Sequence, residues 1–283
     1  GALGLSVNLN TAHTRRVPFQ EIKELALVVA KYNGVLTLDL RNNKEGIATA
    51  MTEAVNLYRQ SGVRLVVNHF VPFLGFEKEF DLAYEILQSS GDNIFFNVSP
   101  TDTSIVPIYT LLPEWAQLGG IKDMWLFLQE SHNRDKLLKE MPKIKQEIVI
   151  IDTPPAYRYL IGKTLKEFAE NRNLTPHKAL IELMSVTDLK AVVSVKNIDY
   201  GKLQQIITDD KALINAPFLK FLELTEQQNW PLEKIIAKIT ALPAKVFGLT
   251  NRGLIKENYY ADLVLYGDKR IQKVLTKGGM ITK

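Results

Sequence analysis

The sequence predicts an α/β fold built on a parallel sheet, and three observations predict it. Residues 35–40, 63–68 and 94–98 are nearly continuous apolar runs, as expected of strands buried on both faces. Between such runs apolar residues recur at helical spacing, as in Ile22, Leu25, Ala26 and Val29 and again in Ile47, Met51, Ala54, Val55 and Tyr58. Strands and helices alternate at the spacing of βα units, which suits both a doubly wound sheet and a (β/α)8 barrel. No G-x-G-x-x-G run follows a strand, which lowers the dinucleotide-binding version of the first.

In order, residues 3–9 read as a strand, 21–31 as a helix, 35–40 as a strand and 45–60 as a helix. A strand over 63–68, a helix over 80–88 and a strand over 94–98 follow. Residues 101–120, with Pro107, Pro113 and Gly119-Gly120, read as a loop. Helices are expected over 123–129 and 134–140, and a strand over 147–151. Thr164-Leu165-Lys166-Glu167 is a capping box, and Thr175-Pro176 sets a second helix start. Residues 189–193 and 212–215 read as strands, with a helix over 200–207 between them. Leu232, Ile235, Ile236 and Ile239 then share a helix face, with Pro243 ending or kinking the helix and Gly248 as its cap. Strands over 261–266, 271–276 and 280–282 close the chain, with turns at Gly267-Asp268 and Gly278-Gly279.

The 283 residues are 46% hydrophobic, enough for a sizeable core. Net charge is +4, from 35 basic and 31 acidic side chains spread along the chain, so nucleic-acid binding is not inferred. With no cysteine there is neither a disulfide framework nor a thiolate metal site. No apolar run approaches the roughly 20 residues of a membrane span. The chain opens with neither methionine nor signal peptide, as if an N-terminal piece were missing, so location is not read from its start; a cytoplasmic one is the expectation.

Several stretches resemble one family. Thr240-x-x-Pro243-Ala244-x-x-x-Gly248-Leu249, then Arg252-Gly253, then Ala261-Asp262-Leu263-Val264, resemble the end of the barrel in the metal-dependent amidohydrolase superfamily. Gly1-Ala2-Leu3-Gly4-Leu5-Ser6, the helix ending Lys31-Tyr32-Asn33-Gly34, Leu112-Pro113-Glu114-Trp115 with Gly119-Gly120, and the helix opening at Gly162 are similar to the N-acyl-D-amino-acid deacylase (D-aminoacylase) branch. The resemblance covers the later part of such an enzyme. It implies a partial (β/α)8 barrel over residues 1–250, first strands absent, and strands of a small composite β-sandwich over 251–283. A sheet that opens at Gly1 would have an unpaired edge, so a homo-oligomer or a separate N-terminal segment is expected.

The resemblance also implies a chemistry: hydrolysis of the amide bond of an N-acyl amino acid by water on a divalent ion, expected to be zinc. His69, one residue past an apolar strand, matches a family metal ligand. Asp39 stands where the family has histidine; it is a candidate ligand or catalytic group, or a strand-end cap. Arg41 keeps a family arginine, for a substrate carboxylate or for a structural salt bridge. Asn97 and Ser99 replace aspartate and histidine or tyrosine, and Asn215 replaces the catalytic aspartate, with Asp209 and Asp210 as nearby alternatives. His13 with Arg15 and Arg16 reads as a solvated loop, and His132 and His177 as helix-end surface residues. Two functions follow: a metal-dependent hydrolase of non-peptide C–N bonds, or a barrel relative that has lost its site and acts as a binding or interaction module.

Overall fold

A computed structural model describes residues 2–11, 13–228 and 230–281. The expected strand positions at Gly1 and Thr282 lie outside the described residues. The chain divides into two units, residues 1–100 with 199–283 and residues 101–198.

The first unit opens with strictly alternating elements: β1 (Gly4–Asn8), α1 (Phe19–Lys31), β2 (Val35–Asp39), α2 (Ile47–Ser61), β3 (Arg64–Asn68), α3 (Glu77–Gln88) and β4 (Ile94–Val98). The second unit holds β5 (Thr103–Pro107), α4 (Ile121–Gln129), α5 (Ser131–Glu140), β6 (Ile148–Asp152), α6 (Leu165–Glu170), α7 (Pro176–Val186) and β7 (Val192–Lys196). The chain then returns through α8 (Tyr200–Ile207), β8 (Ala212–Ile214), α9 (Phe218–Gln227), α10 (Leu232–Ile239) and α11 (Ala241–Val246) to β9 (Leu263–Gly267), β10 (Arg270–Thr276) and β11 (Gly279–Ile281).

The first unit's main sheet runs β1-β2-β3-β4-β8, every neighbouring pair parallel. It is an open five-stranded part of a (β/α)8 barrel. Register divides its faces. Leu36, Leu65 and Ile94 lie in one row and Leu38, Val67 and Phe96 in another, all buried. Beside them Phe70 stacks on Phe80 at 4.5 Å and meets Phe96 edge-on at 5.5 Å. On the opposite face Val35, Val66, Phe95 and Leu213 pack with Val246, backed by Leu242 and Phe247. That second face also carries Asn8, Asp39, Asn68 and Asn97, because side chains alternate along a strand.

The second unit has its own antiparallel sheet, order β5-β7-β6, and its own core, which includes Ile108, Leu128, Ile150, Leu183 and Val193. The loop expected over 101–120 is corrected here: it contains β5 and two short 3-10 turns. Thr103, Ser104 and Pro107 gave it no apolar signature, and pairing with β7 supplies what local sequence does not. The capping box forms, with Glu167 N–H donating to Thr164 Oγ1 at 3.1 Å and Thr164 N–H to the Glu167 carboxylate at 2.7 Å.

The segment expected as one helix broken by Pro243 is two helices, with the break at Thr240 (φ −131°, ψ −80°). Pro243 falls in the first turn of α11, where its missing N–H costs no intrahelical bond. α9, which opens directly after Pro217, has no counterpart among the elements expected from sequence. Arg252 ion-pairs with Asp262, whose other oxygen accepts from Lys277 N–H at 2.9 Å. The arginine and aspartate of the family run thus tie the turn to the terminal sheet, order β11-β10-β9. Among the described residues no helix is long and apolar enough to cross a membrane.

Gly253 sits in that turn at φ +82°, and an added Cβ would stand 2.6 Å from Thr240 O and 2.8 Å from Ala244 Cβ. Gly253→Ala should therefore destabilise the protein by on the order of 1–3 kcal/mol. A lowered thermal midpoint with an unchanged far-ultraviolet spectrum is the expected result.

Candidate active site at the strand ends

In a barrel the C-terminal ends of parallel strands face the converging loops, and ligands bind there. Here the last residues of β1, β2 and β3 are Asn8, Asp39 and Asn68. Register pairs Asn8 with Asp39 and Asp39 with Asn68, and one step past the Val67–Phe96 pair brings Asn97 beside Asn68. Four polar side chains thus stand in one row on one face.

Three of them, Asp39, Asn68 and Asn97, close a hydrogen-bonded ring with His69. His69 N–H donates to Asn97 Oδ1 at 2.9 Å, and Asn97 Nδ2 donates to Asn68 Oδ1 at 2.7 Å. Asn68 Nδ2 donates to Asp39 Oδ2 at 3.2 Å, and Asp39 Oδ1 lies 2.7 Å from Nδ1 of His69. A carboxylate at that distance accepts the Nδ1 proton, so Nε2 faces away from Asp39. His69 holds φ +50°, an uncommon backbone state for a side chain with a Cβ. The ring bonds on both sides of its Cα hold it there. Its side chain is 69% exposed, against 17% for Asp39. A cavity of about 20 Å³ beneath the ring, lined by Asn10, Asn43, Ile47 and Phe70, has room for one water.

The structure brings Asp39, His69 and Asn97 together and separates the other candidates. Arg41 is engaged as a structural salt bridge. Its guanidinium binds both Glu53 oxygens, at 2.9 and 2.7 Å, and donates to the Arg15 and Val17 carbonyls. Asn215 follows β8 at the same end of the sheet; its N–H donates to Val98 O at 2.8 Å and its side chain is exposed. Asp209 precedes β8 and so lies at the opposite, N-terminal end of the sheet. It caps that end, accepting from Tyr84 Oη and Gln88 Nε2 at 2.6 Å and from Lys211 N–H at 2.7 Å. Burial, then the Asp209 bond, pushes the Tyr84 phenol pKa up. Neither Asp209 nor its neighbour Asp210 can stand in for a strand-end catalytic carboxylate. His177 bonds Pro142 O at 2.8 Å, and His132 is a surface residue. Asn68 was missed as a site residue. The signal that would have found it is an Asn or Asp ending each of β1, β2 and β3.

Among the described residues no three His, Cys, Asp or Glu side chains converge to hold a metal ion. The donors present do not complete a zinc site. Nδ1 of His69 and both Asp39 oxygens are already bonded, and the neighbours are amides, which are poor zinc ligands beside imidazole and carboxylate.

The amidohydrolase family profile matches residues 126–281, more than half of the chain. The chain belongs to the amidohydrolase family. Its likeness runs to the D-aminoacylase branch. This amidohydrolase chain is 22% identical to the D-aminoacylase of Alcaligenes xylosoxydans xylosoxydans, over 98% of its own length and 54% of that protein's. It is 43% identical to an N-acyl-D-aspartate deacylase of the same organism over 51 residues, 18% of the chain and 10% of that protein. A solved D-aminoacylase structure matches with a TM-score of 0.73 at 20% identity, covering 99% of this chain and 59% of that one. The N-acyl-D-glutamate deacylase of Bordetella bronchiseptica, solved with zinc and a phosphonate mimic of the tetrahedral intermediate, matches at 0.70 and 20% identity, covering 99% and 60%. These structures share the fold, and the chain spans little more than half of each.

Two predictions follow from the geometry of this amidohydrolase chain. The hydrogen bond to Asp39 raises the His69 pKa, with burial opposing it. A raised folded-state value means the pair's stabilisation is complete below about pH 6.5, the ordinary histidine value, and is lost as pH climbs through the raised one. Asp39→Asn should therefore cost more stability at about pH 5.5 than at about pH 8.5 in urea denaturation; an equal cost at both would contradict the pairing. Arg41 is only 19% exposed on its side chain, so Arg41→Lys should cost about 1–3 kcal/mol by losing the bidentate bond. Its ligand affinity should be unchanged in calorimetry.

Proposed function

We propose that this amidohydrolase chain carries the strand-end part of a site for N-acyl amino acids and acts, like its D-aminoacylase relatives, in hydrolysis of the amide C–N bond. The observation that carries the reading is the Asp39–His69 pair at the C-terminal ends of β2 and β3. It stands on a fold that matches D-aminoacylase over 99% of the chain. Asp39 orients the imidazole through Nδ1, which leaves Nε2 to exchange a proton with a bound amide or its attacking water. Zinc in relatives of this kind lowers the pKa of water and polarises the carbonyl, and this chain's described donors offer it only Nε2 of His69.

A second reading is binding without hydrolysis. It is favoured by Asn97 and Asn215, whose amides take no proton from water, and by Ser99, a poor zinc ligand, at positions where acid, base or ligand groups are expected.

The test is release of free amino acid from N-acetyl-D-amino acids, with and without added zinc. Hydrolysis that falls by about 100-fold or more in His69→Ala, the scale of a lost acid–base group, supports the first reading. Binding in calorimetry with no release supports the second.

A further inference from the structure

We propose that the closed Asp39–Asn68–Asn97–His69 ring has taken the place of a metal centre, so that the site works without zinc and contacts an N-acyl amino acid through Nε2 of His69. The ligand class rests on the function proposed above; the replacement of the metal rests on the ring alone.

The ring has a direction. It starts at a donor that cannot change role, the backbone N–H of His69, and ends on the Asp39 carboxylate, which accepts on both oxygens. Asn97 must turn its oxygen to the backbone N–H, so its Nδ2 faces Asn68. Asn68 must then turn its oxygen to Asn97, so its Nδ2 faces Asp39. Each amide has one orientation that satisfies both neighbours. A ring of this kind is self-consistent, and removing any member leaves polar groups unpaired.

The same directionality argues against a cation. Asn68 points an N–H donor, the positive end of its amide, at the carboxylate oxygen that a metal would need. Nδ1 of His69 spends its proton on the other oxygen. To ligate zinc, Asp39 would give up both bonds, leaving Asn68 Nδ2 and the Nδ1–H of His69 without their acceptor. What the ring leaves available is Nε2, on a side chain that is 69% exposed; no described residue takes it. Asn68 and Asn97 are positioning residues, acting through Asp39 and the backbone of His69.

His69→Asn is the informative variant. Its Nδ2 can replace the Nδ1 donor to Asp39 and its backbone tolerates φ +50°, so the ring survives while Nε2 is lost. The whole chain is loaded with zinc, dialysed and analysed for metal, and N-acetyl-D-glutamate is titrated in the presence of EDTA while the His69 Cε1–H resonance is followed by NMR. The expected result is far less than one zinc per chain, ligand-induced shifts at His69 in EDTA, and loss of at least tenfold in affinity in His69→Asn with the thermal midpoint unchanged at about pH 8.5, where the charged pair no longer contributes. Asn97→Ala should keep the fold yet lose the low-field Nδ1–H proton signal, which a merely structural asparagine would not move. About one zinc per chain, released in His69→Asn, would overturn the proposal. So would ligand shifts that require zinc, or affinity indifferent to His69→Asn. Zinc-dependent turnover would sustain the hydrolase reading while sinking this one, and zinc-free binding without turnover would do the reverse.

Discussion

Parallel strand register is the constraint from which the site follows. Neighbouring strands are held about 4.8 Å apart by their backbone bonds, and the pairs Asn8–Asp39 and Asp39–Asn68 are set by the same ladder that aligns Leu36 with Leu65 and Leu38 with Val67. A slip of one residue would turn the apolar rows out of the core and the polar row into it. Burial of Leu36, Leu65, Phe96 and their neighbours therefore fixes, with no further device, the distance between Asp39, Asn68 and Asn97. That distance is what lets short amide side chains bond across strands.

The C-terminal run that carries the family likeness is explained by packing and not by chemistry. Thr240 and Ala244 form the surface against which Gly253 turns, and only a residue without Cβ approaches so closely at that φ. Arg252 is pulled to Asp262 and lies over the Tyr260 ring at 4.6 Å. Arg64 reaches from the start of β3 to the Val246 carbonyl, and buried Lys238 to the Asp209 carbonyl. These contacts join the late helices to the sheet. They involve none of the strand-end side chains, which is why family membership is plain without reference to the site.

At the strand ends the amides of Asn68 and Asn97 bond one another and their neighbours. Asparagine at 68 and 97 costs little in the fold, since each partner supplies the bond that its neighbour needs. The carboxylate at 39 is satisfied twice, and the imidazole at 69 once. Stability and chemistry here depend on different residues, so the fold alone does not fix the function.

By itself the sequence determined the first seven elements to within about three residues, since apolar periodicity there is undiluted and each βα unit is local. It determined the capping box at Thr164, a bond between residues three apart. It also placed His69 one residue past a strand, and Asp39 and Asn97 within about a residue of strand ends, because a strand's end can be read from where its apolar run stops. Only the tertiary structure decided that Arg41 answers to Glu53 and two carbonyls. It alone showed that Asp209 lies at the wrong end of β8, and that 103–107 pair with 192–196, about ninety residues on. The ring belongs to the same class. Its members are some thirty residues apart in sequence, and nothing in local pattern says which residue stands beside which; register across strands does.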